Sequence, residues 1–235
     1  MTKFSFEVPL EHLEDFHDLQ DYYFTLSKLY NKEKYIRFMS KVRSTGLHTM
    51  WLDNSYNEKM VADDPYELIE TFNSFRLDRI IAPDDPSWDA NKIALEFVKV
   101  AEHIGEWNTI CVVSSPLMME YMITEYGTKN FALSYWVRPK LSEYSLSQMR
   151  SCHFLGLLSV PEIVKYKPPS CDTSMPIKLA MQRKSLMEWA HDGYPHVHTK
   201  DLGSEGDDFF NMKMTNEQVT LARDNIKRLK EACNG

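Results

Sequence analysis

Hydrophobic positions along this chain alternate between two periods. Short apolar runs of strand character are each followed by a longer segment with apolar residues three and four apart. Phe4 to Val8 (FSFEV) reads as a strand stopped by Pro9. Glu11 to Tyr30 carries Leu13, Phe16, Leu19, Tyr23, Leu26 and Leu29 at helical steps, which predicts a helix. Residues 32–47 fit a strand or a helical turn and are broken by Gly46. TMWL (Thr49–Leu52), RIIA (Arg79–Ala82), NTICVV (Asn108–Val113), FALSYWV (Phe131–Val137) and HFLGLL (His153–Leu158) read as further strands.

Between these runs lie helix starts with a recognisable chemistry. Asp64-Pro65-Tyr66-Glu67 places a capping Asp before Pro and a Glu three residues after the cap. Asp89 caps a stripe of Ile93, Ala94, Phe97, Val100 and Ile104 that Gly105 closes. Ser115-Pro116 opens another helix, ended by Gly127. Ser142 to Arg150 reads as a short helix, and Pro161 begins a helical turn. Ser170 to Ala180 (SCDTSMPIKLA) follows Pro168-Pro169 and leads into a helix predicted from about Pro176 to Trp189. Residues 191–213 read as a surface loop, and Thr215-Asn216-Glu217-Gln218 is a capping box for a C-terminal helix over 215–233. Strand–helix alternation repeated about seven or eight times predicts parallel strands joined by helical crossovers. The expected fold is α/β, one compact (β/α)8 TIM-type barrel spanning residues 1–235; an open doubly wound sheet is the alternative.

Composition narrows the class. At 235 residues and 43% hydrophobic, the chain can bury a full core. No apolar run is long enough for a bilayer, and the N-terminus lacks a signal-peptide pattern, so a cytoplasmic protein with no membrane partner is expected. Four widely spaced cysteines (Cys111, Cys152, Cys171, Cys233) contain no CxxC pair, which argues for free thiols and against a zinc ribbon. A formal charge of −7 leaves nucleic-acid binding to local basic strips.

Polar residues gather just after the strands. Asp53-Asn54-Ser55 follows TMWL, Asp84 and Asp85 follow RIIA, Ser114 follows CVV, Arg138 follows SYWV, and Gly156 lies within HFLGLL. In a parallel β/α protein this rim is where active sites are built. Each turn taken singly reads as ordinary turn chemistry, and Asp172 taken singly reads as a helix cap. Together they suit a carboxylate-based site, in which one acid attacks or stabilises an anomeric carbon and another manages the proton.

Four blocks carry a family resemblance: LDNSYNE (Leu52–Glu58), IIAPDD (Ile80–Asp85), HFLGLLSVPEI (His153–Ile163) and SCDTSMPIKLA (Ser170–Ala180). In these the chain resembles the tRNA-guanine transglycosylase superfamily, most of all the phage-type members that place 7-deazaguanines in DNA. The resemblance implies exchange of guanine for a 7-deazaguanine base such as preQ0 or a derivative, by double displacement through a covalent aspartyl–C1′ intermediate. It implies DNA as partner in preference to tRNA. Asp172 would be the nucleophile and Asp53 the general acid/base, with Asp84, Asp85, Ser114 and Gly156 around the base. Two departures stand out. Tyr56 and Asn57 replace a Gly-rich turn, and the family's Cys/His zinc cluster is missing, so neither a metal, a cofactor nor a zinc subdomain is expected. Lys178, Arg183 and Lys184, with Lys165 and Lys167, offer a phosphate-facing strip or an ordinary solvated helix face. Other readings are a related enzyme acting on RNA or a nucleoside, a non-catalytic nucleobase-binding barrel, and a metal-dependent barrel hydrolase using His191, Asp192, His196 and His198.

Overall fold

A computed structural model describes residues 1–55, 63–85, 87, 89–134, 137–138, 145–198, 202 and 209–235. Eight strands run in the order β1-β8-β7-β6-β5-β4-β3-β2, and every pairing with a recorded register is parallel. With helices between the strands this is the (β/α)8 TIM-type barrel. Two compact units make up the chain. One is Tyr22–Leu155; the other is Met1–Asp21 with Gly156–Gly235.

The first unit holds β2 (Tyr23–Leu26), β3 (Met50–Asp53), β4 (Arg79–Ile81), β5 (Thr109–Val112), β6 (Phe131–Ser134) and β7 (Cys152–Leu155). Its helices are α1 (Glu33–Thr45), α2 (Pro65–Phe75), α3 (Ala90–Ile104), α4 (Pro116–Tyr126) and α5 (Leu146–Arg150). Side chains alternate across each strand, so residues two apart share a face. Tyr22, Phe24, Trp51, Ile81, Ile110, Val112, Ala132 and Leu155 form one buried cluster on one face. On the opposite face Leu52, Ile80, Cys111, Phe131, Leu133, Cys152 and Phe154 are buried as well. Burial on both faces is why these strands read as continuous apolar runs. The helix starts behave as their residues predict. Asp64 accepts from the backbone of Tyr66 and Glu67, Asp89 from Asn91 and Lys92, and Ser115 from Met118. Gly46 and Gly127 end α1 and α4 in the left-handed region.

The second unit pairs β1 (Lys3–Phe6) with β8 (Ser170–Thr173), Ser5 lying opposite Asp172. It adds α6 (Val160–Tyr166), α7 (Met175–Met181), α8 (Leu186–His191) and α9 (Asn216–Asn234). Thr215 and Gln218 make the full capping box at the start of α9. Asn225 of α9 is wholly buried. Its Oδ1 accepts from Leu186 N at 2.8 Å, and its Nδ2 donates to Pro176 O and Lys184 O at 3.3 and 3.1 Å. Arg223 forks onto Asp18 at 2.7 and 2.6 Å.

Several sequence expectations change. The helix expected over Glu11 to Tyr30 is absent: two 3-10 segments, Leu10–His12 and Glu14–Leu19, lead to strand β2, and a third covers Ser27–Leu29. Leu13, Phe16 and Leu19 do recur every three residues, which is the 3-10 repeat rather than the α repeat. Beyond them Tyr23-Phe24-Thr25-Leu26 is aromatic and β-branched, and all four residues are buried. Residues 33–45, ambiguous in sequence, are helix α1. The helix expected from Pro176 to Trp189 is two helices. Arg183 takes a left-handed φ of 58° between them, and Ser185 with Glu188 starts α8 by a capping box of its own. Within the expected 191–213 loop, Phe209–Asn211 is a 3-10 turn with Phe209 and Phe210 buried. Tyr56, Asn57, Glu58, Tyr135 and Trp136 lie outside the described residues, as do residues 142–144 of the helix expected from Ser142.

Candidate active site

In the Tyr22–Leu155 unit the polar residues cluster at the exits of β3 and β4. Asp53 ends β3 and falls on the same face as Trp51, two residues earlier. It is buried, and its Oδ2 accepts the backbone N–H of Ser55 at 3.1 Å. Ser55 sits at φ 57°, a left-handed position uncommon for a residue with a Cβ. Its Oγ lies 2.9 Å from Ser27 Oγ, and Ser27 in turn donates to Asp63. Asp63 donates its N–H to Asn54 O at 2.9 Å.

Asn54 is the link to β4. Its Nδ2 donates to Ala82 O and to Asp84 Oδ1, both at 2.9 Å. Asp84 is only 7% exposed. Burial penalises its charged form and pushes the carboxyl up to about 6, with the nearby Asp85 charge adding in the same direction. Its own backbone N–H and the Asn54 amide oppose that shift without cancelling it. Asp85 is held differently. It accepts from Ser87 N at 2.9 Å, lies 3.7 Å from Lys92 Nζ, and is drawn below the usual carboxylate range by its Ser87 hydrogen bonds. Two adjacent aspartates thus have opposite environments, the pattern that separates a proton-exchanging group from a structural one.

Three further polar residues of this unit have partners of their own. Ser114 is half-buried, with its hydroxyl 3.6 Å from Met118 Sδ. Arg138 is buried and donates through Nη1 to Leu133 O and Leu155 O at 2.6 and 2.8 Å, tying together the ends of β6 and β7. Its guanidinium also lies 4.7 Å from the Phe154 ring centroid. His153 is buried among Tyr22, Phe24 and Trp51, its ring centroid 5.1 to 6.2 Å from theirs.

In the other unit Asp172 lies inside β8 rather than at the helix cap position. It is buried, and its Oδ1 accepts from Gly156 N at 3.2 Å. Gly156 has φ 72°, a conformation that explains glycine there. The basic residues near α7 are engaged locally. Lys178 Nζ lies 5.5 Å from the Phe209 ring centroid, and Lys184 pairs with Asp192 at 3.2 Å. Arg183 forms the left-handed break. His196 and His198 lie edge-on to each other, 4.3 Å between centroids. Among the described residues no group of three His, Cys, Asp or Glu side chains is placed to hold a metal ion. No helix among them is long and apolar enough to cross a membrane.

Asn54, Ser55, Asp63 and His153 carry much of this geometry yet read in sequence as turn or strand residues. Asn54 was visible only as the neighbour of Asp53, and nothing in the sequence pointed to its contact with Asp84, 30 positions away.

No family model matches the chain, and no curated protein matches it. Among solved structures it is similar to Ruminococcus gnavus sialic acid aldolase, at 7% identity and a TM-score of 0.45, over 87% of this chain and 81% of that one. It is also similar to N-acetylneuraminate lyase from Mycoplasma synoviae, at 10% identity and 0.45, over 86% and 79%. A catalytic lysine mutant of the R. gnavus aldolase matches at 8% and 0.45, over 87% and 80%. The expected function is corrected by these neighbours, which are an aldolase and a lyase and not transglycosylases. The guanine/7-deazaguanine exchange, the pentosyltransferase class and the covalent aspartyl–C1′ step are withdrawn. The physical reason is that strand-end carboxylates belong to the barrel scaffold, which hosts many chemistries, so blocks resting on them identify the scaffold rather than the reaction.

Proposed function

We propose that this chain is an enzyme that uses carboxylate acid–base chemistry on a small polar substrate, with Asp84 as the proton-exchanging group and Asp53 at the exit of the neighbouring strand. One observation carries the reading: a buried carboxyl at the exit of β4 is held at one oxygen by an amide from the exit of β3. In (β/α)8 enzymes these strand ends are where catalytic groups stand. A carboxyl titrating at about 6 gives up and takes back a proton near neutrality, which an ordinary aspartate does poorly.

The test is a turnover screen of small polar metabolites, run in parallel on the wild type, Asp84→Asn and Asp53→Asn. A substrate turned over by the wild type should lose at least about 100-fold in kcat in Asp84→Asn, the scale of a lost general acid or base. Its wild-type kcat should change with pH around 6. Undiminished turnover in both variants would remove the proposal.

A further inference from the structure

We propose that Asn54 is a positioning residue for Asp84: its amide dictates that the exchangeable proton resides on Oδ2 and holds that oxygen at the exit of β4. The proposal rests on the acid–base reading above and adds the device that aims the group.

The orientation of the Asn54 amide follows from its partners. Ala82 O can only accept, so the atom 2.9 Å from it is the nitrogen, and the same nitrogen lies 2.9 Å from Asp84 Oδ1. An amide nitrogen has two hydrogens, and these two acceptors use both. Asp84 Oδ1 therefore faces a donor and cannot carry a proton on that side. With that side of Oδ1 taken, Oδ2 is left as the oxygen to carry the proton when Asp84 is neutral, the Asp84 main-chain N–H being the other donor to this carboxyl.

The amide is itself held from behind. Asn54 is 3% exposed and its main-chain carbonyl accepts the Asp63 N–H. The next residue, Ser55, is in the left-handed region, which is unfavourable for a residue with a Cβ. That conformation is retained by Ser55 N–H on Asp53 Oδ2 and by the Ser55–Ser27–Asp63 hydroxyl chain. A strained backbone whose surroundings fix it is a common way to present a side chain precisely where chemistry needs it. Here the presented side chain is Asn54, and the group it meets is Asp84.

A bond to the ionised form lowers a carboxyl's titration point, so removing the donor must raise it. The experiment is carbon-detected NMR titration of the Asp84 carboxyl in the wild type, Asn54→Leu and Asn54→Ala. Expected is an upward move of about one pH unit in both variants, with little movement for the exposed Glu217 carboxyl as internal control. In the wild type, the Asn54 side-chain amide proton shifts should follow pH with the same midpoint as Asp84. That second readout needs no variant, so it stands if the substitutions unfold the protein. A purely structural Asn54 would lower the melting temperature and leave the Asp84 midpoint in place. A midpoint unchanged by substitution, or amide shifts that ignore the Asp84 titration, overturns the positioning role while leaving the acid–base reading intact. An Asp84 that titrates like an ordinary aspartate in the wild type sinks the acid–base reading itself.

Discussion

Replacing Asp84 with Asn should make the protein less sensitive to pH and more stable above neutrality. The ordinary aspartate value is 3.8, and burial pushes Asp84 to about 6 in the folded chain. The folded state therefore holds this proton more tightly than the unfolded state. Stability falls wherever the native state binds the extra proton, so the group's contribution declines as pH rises from about 4 and levels off above about 6. At about 1.36 kcal/mol per pH unit of separation, the charged carboxylate costs roughly 3 kcal/mol at pH 8. Asparagine has the same shape, still offers an oxygen to the Asn54 amide, and never ionises. The difference in unfolding free energy, Asp84→Asn minus wild type, should thus climb by about 2.4 kcal/mol between pH 4 and pH 8. The rise should be centred between those limits. Urea unfolding of both proteins at half-unit pH steps measures it directly, because all other titrating groups are common to the pair. A difference that stays flat across the range would mean that the carboxyl is solvated as a charge, and the physical basis for assigning it the proton would be gone.

Other substitutions probe the frame around the site. Asn225→Ala should cost about 2–4 kcal/mol, since it strips a fully buried amide whose bonds hold Leu186 N, Pro176 O and Lys184 O, and calorimetry should register a clear fall in melting temperature. Gly156→Ala should destabilise by about 1–2 kcal/mol in chemical unfolding, because φ 72° is unfavourable once a Cβ is present. Thr215→Ala should lose about 1 kcal/mol from the start of α9 while Thr215→Ser keeps most of it, a contrast readable by amide exchange across the first turn.

Helix boundaries in this chain were legible wherever one residue does the terminating work. Asp64, Asp89, Ser115 and Thr215 cap as their positions suggest, because a side-chain oxygen two or three residues before an orphan N–H needs no tertiary context. The barrel class was legible for a similar reason: strands buried on both faces leave unbroken apolar runs with polar residues at their ends. What failed were segments whose period was ambiguous. Leu13, Phe16 and Leu19 fit three residues per turn, and Tyr23 to Leu26 extended that rhythm by coincidence while their shapes favoured a strand. The helix after Asp172 looked continuous because no proline or glycine marks the break. Arg183 supplies the left-handed turn instead, and the buried Asn225 amide accepts from Leu186 N and donates to Lys184 O on its far side.

The site divides along the same line. Strand-end aspartates can be found by reading the chain, since each follows its own strand. Their roles cannot, because a role is set by what lies across the sheet. Asp84 and Asp85 are chemically identical neighbours in sequence. One is buried against an amide from the preceding strand's exit and pushed up to about 6; the other faces Ser87 and Lys92 and is drawn down. The sequence alone leaves Asp84 and Asp85 as one-residue alternatives, whereas their environments differ in the sign of their effect on the proton. Burial is what separates them, and Asn54 meets Asp84 across a strand pairing that places β3 beside β4 in parallel register. Chemistry here is thus a property of adjacent strand exits taken together.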